Sequence, residues 1–196
     1  MKRNALILLA TTCILAGCGH KTETTSETTT TTVPDTNAAG TIDTNVTTTN
    51  VSEPVAAPQM FANGAAASDA FEIESSKLAA TNASSAAVKK FAAQMIDAHT
   101  ASTATLKAAA AKLDPAITPD PTLTSDQDAS LAALKTRKGA SFDAAYVDVQ
   151  IAAHDKALAM LKDYSATGSV AEFRTIATGL VPKVSAHLNM AKGMKL

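Results

Sequence analysis

Tryptophan is absent, aromatic residues make up 4% of the chain, and there are two cysteines. Both cysteines, Cys13 and Cys18, stand near the amino terminus, so everything after them has neither thiol nor disulfide. Catalytic cysteine, thiol redox chemistry and cysteine-ligated zinc are thereby excluded from the remainder. No dense Lys/Arg run occurs and the formal net charge is -1, which removes the electrostatic footprint that nucleic-acid binding needs. No apolar run reaches the roughly 20 residues that a membrane-spanning helix requires. No serine sits in a recognisable nucleophile elbow, which argues against a hydrolase.

What is present begins with an address. Lys2 and Arg3 precede a short apolar stretch, Ala5 to Leu15, and then Leu15-Ala16-Gly17-Cys18. This order resembles the lipobox of bacterial lipoproteins. The resemblance implies that residues 1–17 are a signal peptide, that Cys18 is acylated, and that Gly19 directs the product to the outer membrane. Each buried methylene adds about 0.8 kcal/mol, so two or three acyl chains make a firm anchor, and the membrane is the expected partner through that lipid. From Cys18 to Ala66 the chain is dominated by Thr and interrupted by Pro34, Pro54 and Pro58. It has too little apolar surface to offset the entropy of ordering, and 18–66 reads as a disordered Thr-rich tether.

The texture then changes to Ala-rich segments with apolar residues three and four apart, the helical period. The spacing predicts a helix from about Ser68 to Thr81, and a second beginning near Ser84 or Ser85 and stopped by Pro115. A short third starts at Ser125, with Asp128 in a capping-box-like position. A long fourth runs from about Ser141 to Thr167. The fifth is opened by a Ser169-Val170-Ala171-Glu172 capping box and carries Pro182, where a kink is expected. Residues 67–196 are therefore expected to form an all-α domain: four core-facing helices and a short connecting helix.

Each long helix has one polar residue in an apolar seam. Glu74 falls in the series Ala67, Phe71, Glu74, Leu78, Thr81, and His99 follows Val88, Phe91 and Met95. His154 lies between Ile151 and Leu158, and His187 between Val184 and Ala191. The one remaining histidine, His20, is in the tether. If the helices run up, down, down, up, then His99 and His154 share a mid-height level. Glu74 and His187 share another about 7 Å away, and side chains leaning toward their own N-termini bring the four together. Histidine and carboxylate suit a transition metal ion. The same pattern also suits a buried, metal-free polar network.

The run Phe71-Glu72-Ile73-Glu74, Lys77-Leu78-Ala79, Ala87 to Ala92, Met95, Asp97 to Thr100, the pair Phe142 and Tyr146, His154 and His187-Leu188 resemble a bacterial ferritin-like family. That family is catalogued as a domain of unknown function, number four-one-four-two. The resemblance implies a ferritin-like four-helix bundle in exported proteins and no established activity. Ferritin-like di-metal enzymes carry Glu-x-x-His motifs. Here Ile96, Ile151 and Val184 stand three residues before the histidines, so a di-iron oxidase is not expected. Two functional readings follow. One is a tethered envelope lipoprotein whose bundle is a binding or structural module with an envelope protein as partner, in stress tolerance, with no catalytic residue. The other is a metal-binding protein or oxidoreductase using Glu74, His99, His154 and His187.

Overall fold

The computed structural model describes residues 56–196. The signal segment 1–17, Cys18, Gly19, His20 and the tether up to residue 55 lie outside the described residues. Five helices follow in order: α1 (Ala56–Asn82), α2 (Ala86–Ala110), α3 (Ser125–Lys135), α4 (Gly139–Thr167) and α5 (Ala171–Lys192).

The first helix starts at Ala56, well before the expected Ser68, so residues 56–66, expected from sequence to belong to the tether, are helical. Pro58 sits in the first turn, where a missing N–H costs no intrahelical bond. Phe61, Ala62, Ala65 and Ala66, read from sequence as tether, are all buried. The ring of Phe61 stacks on Tyr164 at a centroid distance of 3.8 Å. Gly64 lets α1 approach α4 closely, since a Cβ there would meet Met160 Sδ at 3.1 Å.

Two helix starts also differ from expectation. The capping box of α3 is formed by Thr124 and Gln127, earlier than the expected Ser125 and Asp128. The box expected at Ser169 and Glu172 does not form: Val170 is the N-cap of α5 and has no side-chain bond. Instead Arg174 Nη1 donates to the Gly168 carbonyl at 2.7 Å across that turn. At the start of α4, Gly139 adopts a φ of 60°, a conformation that costs glycine little and other residues more. The start of α2 is held from outside: the backbone N–H groups of Ser84 and Ser85 donate to the buried carboxylate of Asp143 on α4 at 2.9 to 3.2 Å.

Short connections make α1/α2 and α4/α5 antiparallel hairpins. The hairpins pack with α1 against α4, and the pairs Phe61–Tyr164, Glu72–His154 and Ser76–Tyr146 show these two helices to be antiparallel. The order is thus up, down, down, up, with α3 in the crossover, packed against α1 and α4. The result is an all-α four-helix bundle.

Its core is layered. One end is filled by Phe61, Leu106, Leu161, Tyr164, Phe173 and Val184, and the other by Val88, Phe91, Met95, Leu134, Phe142 and Tyr146. Between these apolar clusters every long helix contributes polar residues: Asp69, Glu72 and Ser75 from α1, His99 from α2, Gln150 and His154 from α4, and His187 from α5. Burying such groups is costly unless they are partnered, so the middle layer is the part of the core whose partners matter most.

Candidate metal centre

Helical spacing explains why three histidines meet. On α2, Val88, Phe91, Met95 and His99 step along one buried face. On α5, Phe173, Ala177, Val184, His187 and Ala191 do the same, and on α4 His154 occupies the interior position between Tyr146 and Leu161. The imidazole centroids form a nearly equilateral triangle, 5.7 Å from His99 to His154, 6.0 Å from His99 to His187 and 5.6 Å from His154 to His187. One ligating nitrogen from each lies within 4.8 Å of the others. A metal ion bound at about 2.0 to 2.1 Å sets tetrahedral nitrogens about 3.4 Å apart, so modest ring rotations would close the site.

Two of the rings are anchored from behind. His99 Nδ1 lies 2.8 Å from Asp69 Oδ1, and the second oxygen of that carboxylate accepts from the Thr103 hydroxyl at 3.1 Å. His154 Nδ1 lies 2.9 Å from the Gln150 carbonyl. A carbonyl only accepts, so Nδ1 carries the hydrogen and Nε2 presents its lone pair. Glu72 Oε1 stands 3.4 Å from the same Nδ1. Beyond it Ser75 accepts from the Gln150 amide at 3.1 Å. Among the described residues, His99 Nε2, His154 Nε2 and His187 Nδ1 are buried without any hydrogen-bond partner, as is Glu72 Oε2.

The electrostatics keep two imidazoles neutral. Burial, helped by the charge of His99, pushes His154 down to about 4. His187 is also lowered, by burial, His99 and Lys183. On His99 burial acts downward, but the bond to Asp69 and the charges of Glu72 and Asp69 outweigh it and raise the pKa. Burial lifts Glu72 to about 7, opposed by His99 and Gln150.

Glu74 does not join the site. Its side chain is 54% exposed and bonds to Lys77 at 2.8 Å. The cause is that α1 is covered on two sides, by the bundle interior and by α3. Phe71, which set the expected seam, faces a hollow shared with Thr124 and Gln127 at the start of α3. Glu72, two residues earlier and so about 200° round the helix, is 1% exposed and faces the histidines. Asp69 and Glu72, missed in the sequence reading, were signalled only by the series Ala62, Ala65, Asp69, Glu72, Ser76, Ala79, a helical stripe made of small and acidic residues.

The fold and site together define a helical bundle with an inward-facing tri-histidine layer. The chain belongs to the family described as Domain of unknown function (DUF4142), whose model matches residues 44–194. No curated protein matches the chain, and no solved structure does.

Proposed function

We propose that this protein is an envelope lipoprotein whose bundle binds one transition metal ion through His99, His154 and His187. The observation that carries the reading is the convergence of three buried imidazole nitrogens that have no other partner. Leaving one such group unsatisfied costs about 1 to 3 kcal/mol, and three pointing at one another is an arrangement that an ion relieves. Asp69 behind His99 and the Gln150 carbonyl behind His154 fix ring orientation and tautomer, as partners of metal-bound histidines do. The donor set is three imidazoles with no thiolate and no carboxylate oxygen among the converging atoms. That set favours zinc or copper and disfavours calcium and magnesium, which need oxygen ligands.

The lipid anchor rests on Leu15-Ala16-Gly17-Cys18. No described helix is long and apolar enough to cross a membrane. The ferritin-like relationship expected from sequence agrees with the up, down, down, up order, although the ligand set differs from the Glu-x-x-His di-metal pattern. A metal-free polar network fits less well, because the nitrogens that would have to bond one another lack partners.

The test is elemental analysis of full-length protein purified without chelator, followed by titration with zinc and copper. One equivalent of metal is expected, reduced to background by His154→Ala together with His187→Ala. Failure of the unaltered chain to retain either ion at a one-to-one ratio overturns the proposal.

A further inference from the structure

Three histidine ligands leave a tetrahedral ion one position short. The surroundings of the site indicate what fills it. A small cavity of about 50 Å³ adjoins His99 and His187, walled by Met160, Leu180 and Val184. On its outer side lies a groove of about 610 Å³ between α2 and α5. Ala98, Ser102, Leu180, Lys183 and His187 line both, so the inner cavity and the groove meet at these residues. The helices do not close over the site here because the facing residues are short: Ala98, Ala101 and Ser102 on α2, Gly179 and Ala186 on α5. A Cβ at Gly179 would meet nothing within 4 Å. The unpartnered Nε2 of His99, a residue only 6% exposed, belongs to the side chain at the floor of this passage.

Charge selects the visitor. Lys183 stands one helical turn before His187 and makes no ion pair among the described residues. Asp69 also lines the inner cavity, but its two oxygens are engaged by His99 and Thr103. An ion bound by three neutral imidazoles adds further positive charge. Size selects as well: the inner cavity, about 50 Å³, has room for only a few waters, so it favours a ligand of a few heavy atoms.

Resting on the metal reading above, we infer that the fourth coordination position is an open site for a small anion of two or three atoms, such as azide or a peroxide-class anion. The ligand enters through the α2–α5 groove with Lys183 as its countercharge. The metal centre is therefore a ligand-binding site and not a sealed structural one.

The experiment uses full-length protein loaded with Co(II), whose visible spectrum reports its coordination, titrated with sodium azide. A saturable spectral change is expected. Lys183→Gln should weaken azide about fivefold, the equivalent of one exposed charge interaction. Gly179→Phe should fill the groove and suppress binding, and Gly179→Ala should behave as the unaltered protein. A Co(II) spectrum that azide does not change would overturn the open position while leaving the metal site standing. Equal azide affinity in Gly179→Phe and Gly179→Ala, with Co(II) bound in both, would overturn the groove as the route. Absence of a bound-Co(II) spectrum in the unaltered protein, with no zinc or copper retained either, would overturn the metal reading itself and this inference with it.

Discussion

Glu72 Oε1 lies 3.4 Å from His154 Nδ1 in the α1–α4 seam, and both side chains are almost completely buried. Burial acts on them in opposite senses, lifting Glu72 to about 7 and lowering His154 to about 4, so both are neutral at mildly acid pH.

This gives the first prediction. A carboxyl with a raised folded pKa contributes stability below its unfolded value that is lost as pH rises, here between about 4.5 and about 7. A histidine with a lowered folded pKa does the reverse: stability is lost as pH falls from about 6.5 to about 4. Each change amounts to about 3 kcal/mol across its window, and in the metal-free protein the two largely cancel. Glu72→Gln should remove one of them, so that stability rises steeply with pH over this window. Urea unfolding in chelator across the window is the check, and a flat profile for Glu72→Gln would refute it.

Metal should alter the ranking of histidine substitutions. A ligand that binds only the folded state at 100 times its Kd stabilises by about 2.7 kcal/mol. In zinc, His187→Ala should lose that increment. In chelator it should differ little from the unaltered protein, because the side chain is half-buried and its Nδ1 has no bond to lose. His154→Ala should cost about 1 to 3 kcal/mol even in chelator, since it strips a fully buried ring from the core. Chemical unfolding with and without zinc separates the two.

Asp69→Asn keeps the shape of the contact to His99 while removing its charge. Loss of an anchoring carboxylate typically weakens metal affinity by about 10- to 100-fold. Competition against a chromophoric chelator should report a fall in that range with near-normal helix content by circular dichroism. Unchanged affinity would show that Asp69 serves the fold alone.

Asp143 is the contrasting case. It accepts from the N–H groups that precede α2, far along the bundle from the histidines. Asp143→Ala should destabilise by about 1 to 3 kcal/mol through those abandoned donors. Metal affinity of the folded protein should stay within about twofold, a difference worth less than 0.5 kcal/mol.

At the amino terminus, Cys18→Ser should abolish labelling by a fatty-acid analogue and leave unprocessed precursor. Limited proteolysis of the mature protein should cut before Ala56 and leave a resistant fragment that begins close to it. Cleavage between 56 and 66 with equal ease would contradict the helix assigned there.

The histidine triangle was legible in the sequence because α2 and α5 each bury one regular face, so a polar residue at that spacing had to point inward. The carboxylate partner was not. Helix α1 is buried against α3 as well as against the bundle, and Phe71 drew the apparent seam to the wrong side, putting Glu74 where Glu72 belongs. The start of α1 was hidden for another reason. Pro58 counted among the prolines that interrupt the tether, yet a first-turn proline breaks no intrahelical bond. Capping boxes were the least readable, since whether Ser169 or Thr124 caps a helix depends on backbone geometry that residue type alone does not set.

The histidines do not all come from one hairpin: His99 belongs to α2, whereas His154 and His187 belong to α4 and α5. An ion held by all three would be a reversible cross-link between the two halves of the bundle. It closes a loop of about 90 residues, and in the chain-entropy treatment of cross-links that constraint is worth about 4 to 5 kcal/mol. A chain whose cysteines both stand ahead of the bundle has no disulfide with which to fasten these halves. Metal supply would then act as a latch, setting how often the two hairpins part.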